Sequence, residues 1–284
     1  MNKYSIYGAI IGDVAGSHLE VLEMKEKENG YKVSSQKREK VLDPNTILFT
    51  DDCSLTDDSI LTVALADALL NNKDYCKYLK EYGKQEIDLG KDKYGRSRFG
   101  KCFCEWLNGD FIGNSFGNGC AMRISPIAYA FSSLEETLKE CNKATICTHN
   151  HEDSLKCARA VCGAIYLART NKSKEEIKNF VEKELDIKLN FDLKYLRDNY
   201  IFTSKAINSV PQAIYCFLVS NSFEETLRNT LSIGGDVDTT AAISCSIASA
   251  FYNIPQNFIN KVKEYIKPEY LKILEQFSIT YLEA

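Results

Sequence analysis

Between Ile60 and Leu70 apolar and small residues recur with the period of an α-helix, and the run stops at Asn71-Asn72. The same periodicity predicts helices over 4–19, 74–84, 99–107, 120–131, 134–147, 153–170, 174–185, 211–220, 223–232, 239–252 and 256–283. Pro211 and Pro255 suit first-turn positions. Alternating, β-branched strand patterns are nearly absent, so the pattern predicts an all-α protein, and no linker divides it: residues 1–284 read as a single domain. In the first helix Gly8, Gly12 and Gly16 fall on one face, flanked by Asp13 and Glu20. Glycine costs helix stability, so a repeat of it predicts a very close neighbour along that face. Residues 23–50 are polar, rich in Lys and Glu and without period, and read as a long surface loop; 86–98 is a second irregular stretch.

At 284 residues, 44% hydrophobic and 26% charged, the chain is an ordinary globular protein able to bury a sizeable core. Its net charge of −4 gives no case for a nucleic-acid surface or a polybasic membrane patch. Eleven cysteines are present without any Cys-x-x-Cys pair. Most, including Cys147, Cys157, Cys162, Cys216 and Cys245, lie in helical stretches and read as small apolar filler. The apolar run after Met1 is broken by Asp13, too polar for a secretion signal or a span, so a reducing, cytoplasmic compartment is expected.

Candidate chemistry begins with two acidic clusters, Thr56-Asp57-Asp58-Ser59 and Gly235-Asp236-Val237-Asp238-Thr239, each opening a long apolar helix. Either alone reads equally well as a helix cap. Brought together, their carboxylates would repel one another unless hard cations joined them, and all-oxygen ligation suits Mg²⁺, Mn²⁺ or Ca²⁺. A third segment holds Gly109, Gly113, Gly117 and Gly119. It lacks a Gly-Lys-Ser/Thr ending and follows no strand, so it is neither a P-loop nor a dinucleotide fingerprint. Its backbone N–H groups, ahead of a helix near Ala121, could cradle a diphosphate. His149 and His151 are not a shared metal site, because residues two apart on a helix diverge. His18 reads either as a neighbour of the site or as a surface residue. Arg123 reads either as a phosphate ligand or as a structural arginine tied to a buried carboxylate.

Six segments in order resemble the ADP-ribosylglycohydrolase family: 12–20, 56–59, Phe99-Gly100, 117–123, Thr148-His149 and 234–239. That family includes enzymes that remove ADP-ribose from arginine on dinitrogenase reductase and from serine on animal proteins. The resemblance implies a compact all-α domain with two Mg²⁺ ions (Mn²⁺ as the alternative) on Thr56, Asp57, Asp58, Asp236, Asp238 and Thr239. It implies that Glu20, Asp57, Asp58 and Asp238 serve catalysis. Gly100, Ser115, Phe116, Gly117, Asn118, Gly119 and His149 would bind the substrate, with ADP-ribose as product. Asp51-Asp52 is a near-copy of the first cluster but is not followed at once by the long apolar helix, and reads as a decoy. Departures from the family are Ser59 where a threonine is usual, and Cys245, Ser249 and Asn253 where glycines are usual; small side chains at Cys245 and Ser249 still allow close packing.

An ADP-ribosylated protein acting as substrate to a cytoplasmic monomer is the leading expectation. Other ADP-ribose conjugates, or a non-catalytic ADP-ribose-binding protein, are the alternatives. If the acceptor is arginine, Asp51-Asp52 or Asp110 are the carboxylates expected to grip it.

Overall fold

The computed structural model describes residues 2–28, 34–109 and 111–283. Its helices are α1 (Tyr7–Glu28), α2 (Ser35–Glu39), α3 (Asp57–Leu70), α4 (Tyr75–Asp88), α5 (Lys101–Leu107), α6 (Gly119–Met122), α7 (Ser125–Tyr129) and α8 (Leu134–Ile146). They continue as α9 (Glu152–Arg169), α10 (Lys174–Leu185), α11 (Leu193–Asn199), α12 (Ala206–Val219), α13 (Phe223–Ile233), α14 (Val237–Phe251), α15 (Gln256–Lys263) and α16 (Pro268–Phe277). No strand occurs among the described residues; two isolated bridges join Asn114 to His149 and Gly117 to Lys205. The fold is all-α, as the periodicity predicts.

The centre of the molecule is α14, whose residues from Val237 to Ser249 are all buried. A helix buried all round normally has no polar side chains to satisfy. This one has serines and threonines, and their hydroxyls bond back to helix carbonyls: Thr240 to Asp236 O at 2.8 Å and Ser246 to Ile243 O at 2.7 Å. The glycine face of α1 lies directly on it. A side chain at Gly12 would run into the Ala241 carbonyl, and one at Gly16 would come within 2.5 Å of the Asp238 Cα. The close neighbour predicted by the glycine repeat is therefore α14, and the contact carries Asp13 to the second acidic cluster.

Several boundaries differ from the sequence reading. Helix α1 continues to Glu28, through a stretch read as loop, because Leu, Glu, Met and Lys are strong helix formers and Arg38 buries Glu23 on one side of it. The same presumed loop contains α2; residues 29–33 of it lie outside the described residues. The helix predicted over 120–131 is two short ones, and that over 256–283 is broken at Lys263. Helix α11 was not anticipated. Pro211 sits inside α12 rather than in its first turn, since that helix begins at Ala206.

Cys147 is not simple filler. It forms a disulfide with Cys76, tying the end of α8 to the first turn of α4 at a Cα–Cα distance of 5.4 Å. The cysteines therefore do not argue uniformly for a reducing compartment. Nine are free and seven of those are buried. Among the described residues no helix is long and apolar enough to cross a membrane.

Candidate active site

Both acidic clusters open onto one cavity of about 580 Å³, within the range that holds a nucleotide-sized ligand. Thr56 is the N-cap of α3 and Asp236 the N-cap of α14, so the capping and site readings coexist. Asp236 makes no side-chain cap bond, leaving its carboxylate to the cavity.

Two carboxylate groups could each hold a cation: Asp13 with Asp58 and Asp238, and Glu20 with Asp236 and Asp238. Within each group the ligand atoms lie within 4.8 Å of one another, and Asp238 belongs to both. Asp58 Oδ2 lies 3.1 Å from the Thr56 hydroxyl and 3.4 Å from that of Thr239, while its Oδ1 is buried without a hydrogen-bond partner. A buried carboxylate oxygen with no donor is a site a cation would satisfy. The donor set is oxygen throughout, which fits a hard divalent ion.

Electrostatics tell the same story. Burial first, then the charges of Asp13 and Glu20, pushes Asp57 up to about 7. Burial and then Glu20 push Asp236 up to about 7. Asp58 and Asp238, desolvated and crowded by like charges, are held well above the usual carboxylate range.

Asp13 is the member that sequence reasoning missed. Its Oδ2 accepts from the Thr56 and Ser59 amides, both at 3.1 Å, and from the Ser59 hydroxyl; Oδ1 takes the Thr56 hydroxyl at 2.7 Å. These bonds draw its carboxyl back towards normal, but burial dominates and it stands at about 6. A lone acid on the glycine face of an apolar helix was the available signal. Arg38 was also missed. It grips Glu23 through two bonds of 2.8 and 2.7 Å and donates to the carbonyls of Arg197 and Tyr200. Its guanidinium underlies Gly234, which with Gly235 adopts positive φ and turns the chain into Asp236.

The opposite wall is the glycine segment. Asn118 Nδ2 donates to Asp236 at 2.8 Å, so this residue orients a cluster carboxylate. The amides of Ser115, Gly117 and Asn118 already donate to Thr148 O, Ser115 Oγ and Ser204 O. The amide cradle expected for a diphosphate is therefore mostly committed to holding the loop itself. Helix α6 starts at Gly119 and spans four residues. Ser115, Gly117, Asn118, Gly119 and Gly100 line the cavity, whereas Phe116 is 53% exposed and stands outside it, against His151 and Lys205.

His149 lines the cavity and is buried. Arg123 donates to Thr148 Oγ1 at 2.5 Å, and the same hydroxyl lies 2.6 Å from His149 Nδ1. Burial and the Arg123 charge keep the imidazole neutral, well below its ordinary pKa. Arg123 is buried and also lines the cavity; the partner it bonds is Thr148 rather than a carboxylate. His149 and His151 lie in the turn between α8 and α9, not on a helix, and His151 caps α9. His18 Nδ1 meets Cys53 Sγ at 3.3 Å. Asp51 and Asp52 are exposed and do not line the cavity; Asp110 lies outside the described residues.

Residues 3–282 match the sequence model of the ADP-ribosylglycohydrolase family. The chain belongs to that family. It is 27% identical over 310 residues to ADP-ribosylhydrolase ARH3 of Mus musculus, covering 88% of this chain and 83% of the relative. It is 27% identical to the ADP-ribosyl-[dinitrogen reductase] glycohydrolase of Rhodospirillum rubrum, covering 76% of each. A solved chain described as an ADP-ribosylglycohydrolase-related protein complex superposes with a TM-score of 0.69 over 98% of this chain and 97% of its own, at 18% identity. As an ADP-ribosylglycohydrolase the protein is an enzyme, a hydrolase of glycosidic bonds.

Proposed function

We propose that this enzyme removes ADP-ribose from an ADP-ribosylated protein, at an arginine or serine linkage, with two Mg²⁺ ions in the shared acidic cluster. The observation that carries the reading is the pair of carboxylate groups joined through Asp238, one of which contains Asp58 with its buried, unpartnered Oδ1. Thr56, Asp57, Asp58, Asp236, Asp238 and Thr239 are the proposed ligands, and Asp13 and Glu20 complete the two groups. When bound, such cations orient ribose hydroxyls and a water and lower that water's pKa.

The residues supply the remainder. Cleavage at the anomeric carbon passes through an oxocarbenium-like state, and the cluster's negative charge stabilises it. Water oxygen bonds to that carbon as the bond to the acceptor breaks, and the water proton passes by way of a carboxylate to the leaving atom. Asp57 and Asp58 are proposed for that transfer, with Glu20 contacting the substrate end. Asn118 holds Asp236 in place, and His149, which lines the cavity, is the proposed polar contact to a substrate oxygen. Ser115, Gly117 and Gly119 line the ADP side. Gly100, where a side chain would meet nothing within 4 Å, leaves the cavity open for the ligand to approach.

The main hydrophobic cluster runs from Ile6 to Leu282, which supports a single domain; that domain is proposed to act as a monomer. The nine free thiols fit a cytoplasmic setting. The test is release of ADP-ribose from arginine- and serine-modified proteins during a Mg²⁺ titration. Release should require the cation; full activity in excess chelator would reject the metal assignment.

A further inference from the structure

Part of the cavity wall beside Glu20 comes from the stretch 89–100, through Asp92 and residues 96–100. Lys93 Nζ donates to the carbonyls of Asp51 and Cys53 at 3.0 and 3.2 Å, and the Tyr94 hydroxyl to that of Asp52 at 2.7 Å. These bonds fix the stretch so that Arg96 points inward. Its Nη1 lies 2.8 Å from Glu20 and its Nε 2.9 Å from Asp92, and the side chain is 29% exposed. Glu20 is also a member of the carboxylate group with Asp236 and Asp238. A guanidinium is therefore built in one carboxylate away from the cluster.

If ADP lies against the glycine segment and the anomeric carbon at the cluster, the acceptor departs past Glu20 and Arg96. A substrate arginine leaving there would need carboxylates to grip its guanidinium. Outside the aspartates of the cluster, Asp57 included, the described carboxylates lining the cavity are Glu20, Asp92 and the exposed Glu28, and Arg96 already occupies the first two. Arg98 and Lys101 line the same cavity but are paired with Glu86 and Glu105, so the charge that counts is that of Arg96 alone. Like charges placed together are a means of rejecting a competing ligand.

We infer that Arg96 is a specificity residue: it stands where an acceptor guanidinium would sit, and it restricts the enzyme to ADP-ribose on an uncharged, hydroxyl-type acceptor such as serine. This rests on the hydrolase reading above and narrows its acceptor.

The test uses the full chain with Mg²⁺ and two peptides of matched sequence, one ADP-ribosylated on serine and one on arginine. The wild type should favour serine by about 100-fold in kcat/KM. Arg96→Gln should cut that ratio by about tenfold or more, whereas Arg96→Lys, which keeps the charge, should hold it within about threefold. A ratio cancels any general loss of activity in a variant. Three results overturn the inference: wild-type preference for arginine, a Gln variant with an unchanged ratio, or a Gln variant whose main defect is weaker inhibition by free ADP-ribose. The last would assign Arg96 to the diphosphate. Failure to release ADP-ribose from either peptide would instead reject the hydrolase reading, and this inference with it.

Discussion

Two regions bound the cavity, and both depend on glycine for opposite reasons. Along the α1–α14 seam, Gly8, Gly12 and Gly16 are present because α14 leaves no room for a side chain. In the 89–100 stretch, Gly90 and Gly95 have φ of 81° and 78°, and a side chain at either would meet nothing within 4 Å. The seam holds Asp13 and Asp238 on helices packed backbone to backbone, where a shift in one carboxylate must shift a core. The stretch holds Arg96 through long side chains at the surface. Groups whose spacing decides cation binding thus sit on the rigid element, and the group facing the acceptor sits where substitutions are cheap.

Substituting the same residue into both regions tests that contrast most severely. Gly12→Val should drive a side chain into the Ala241 backbone and cost more than about 4 kcal/mol, enough to leave the protein largely unfolded. Gly95→Val has open space and should cost only about 1–2 kcal/mol for the left-handed backbone it must adopt. Urea unfolding of the two variants measures the difference. Equal costs would mean that the seam is looser than its packing indicates.

The same contrast governs what the sequence reveals. The seam was half legible: the glycine repeat announced a close partner, and Ala241, Cys245 and Ser249, also four apart, are its complement. Both acidic clusters were legible because helix starts put their side chains at one end of the core. Asp13 was not read as a member, since an acid within an apolar helix shows its purpose only once Thr56 and Ser59 are seen bonded to it. Arg38 and the Cys76–Cys147 disulfide were invisible for a related reason: their partners are far away in sequence and leave no local period. The stretch 86–98 read only as irregular, because its order comes from Lys93, Tyr94 and Arg96 reaching across to other segments.

Cation binding should sharpen the comparison through pH. Without a cation Asp13 stands at about 6 and Asp57 and Asp236 at about 7, against an ordinary value near 4. The native state then keeps protons that the unfolded chain releases, so these groups contribute stability at low pH that is lost as pH rises from about 4 through 7. Mg²⁺ must displace those protons, so its stabilisation grows over the same window. At about 100 times Kd it should contribute about 2.7 kcal/mol, a Tm gap of about 5–10 °C between Mg²⁺ and chelator at pH 8 that closes near pH 5. Asp238→Asn, which removes a ligand shared by both groups, should abolish the gap and most activity while leaving the chelated protein at least as stable as wild type. A gap independent of pH, or one retained in that variant, would count against a carboxylate cation site.

The smallest effect is expected at Gly117, on the wall opposite Arg96. Its φ lies outside the left-handed region, so a side chain there meets no backbone penalty. A Cβ would come 3.2 Å from Ser115 Oγ and 3.7 Å from His149 Nε2, tight but without collision. The cost of Gly117→Val is therefore borne by whatever ligand shares that space, and competitive inhibition by free ADP-ribose should weaken by about three- to tenfold. The next residue, Asn118, binds both Ser204 O and Asp236, so a shift of the loop also reaches the acidic cluster. Mg²⁺ affinity should fall too, but by less than ADP-ribose affinity, when both are measured by calorimetry on the same variant. If Mg²⁺ binding were lost with ADP-ribose binding untouched, the glycine segment would be a support for the cluster through Asn118, and the ADP moiety would have to lie along the Arg96 wall.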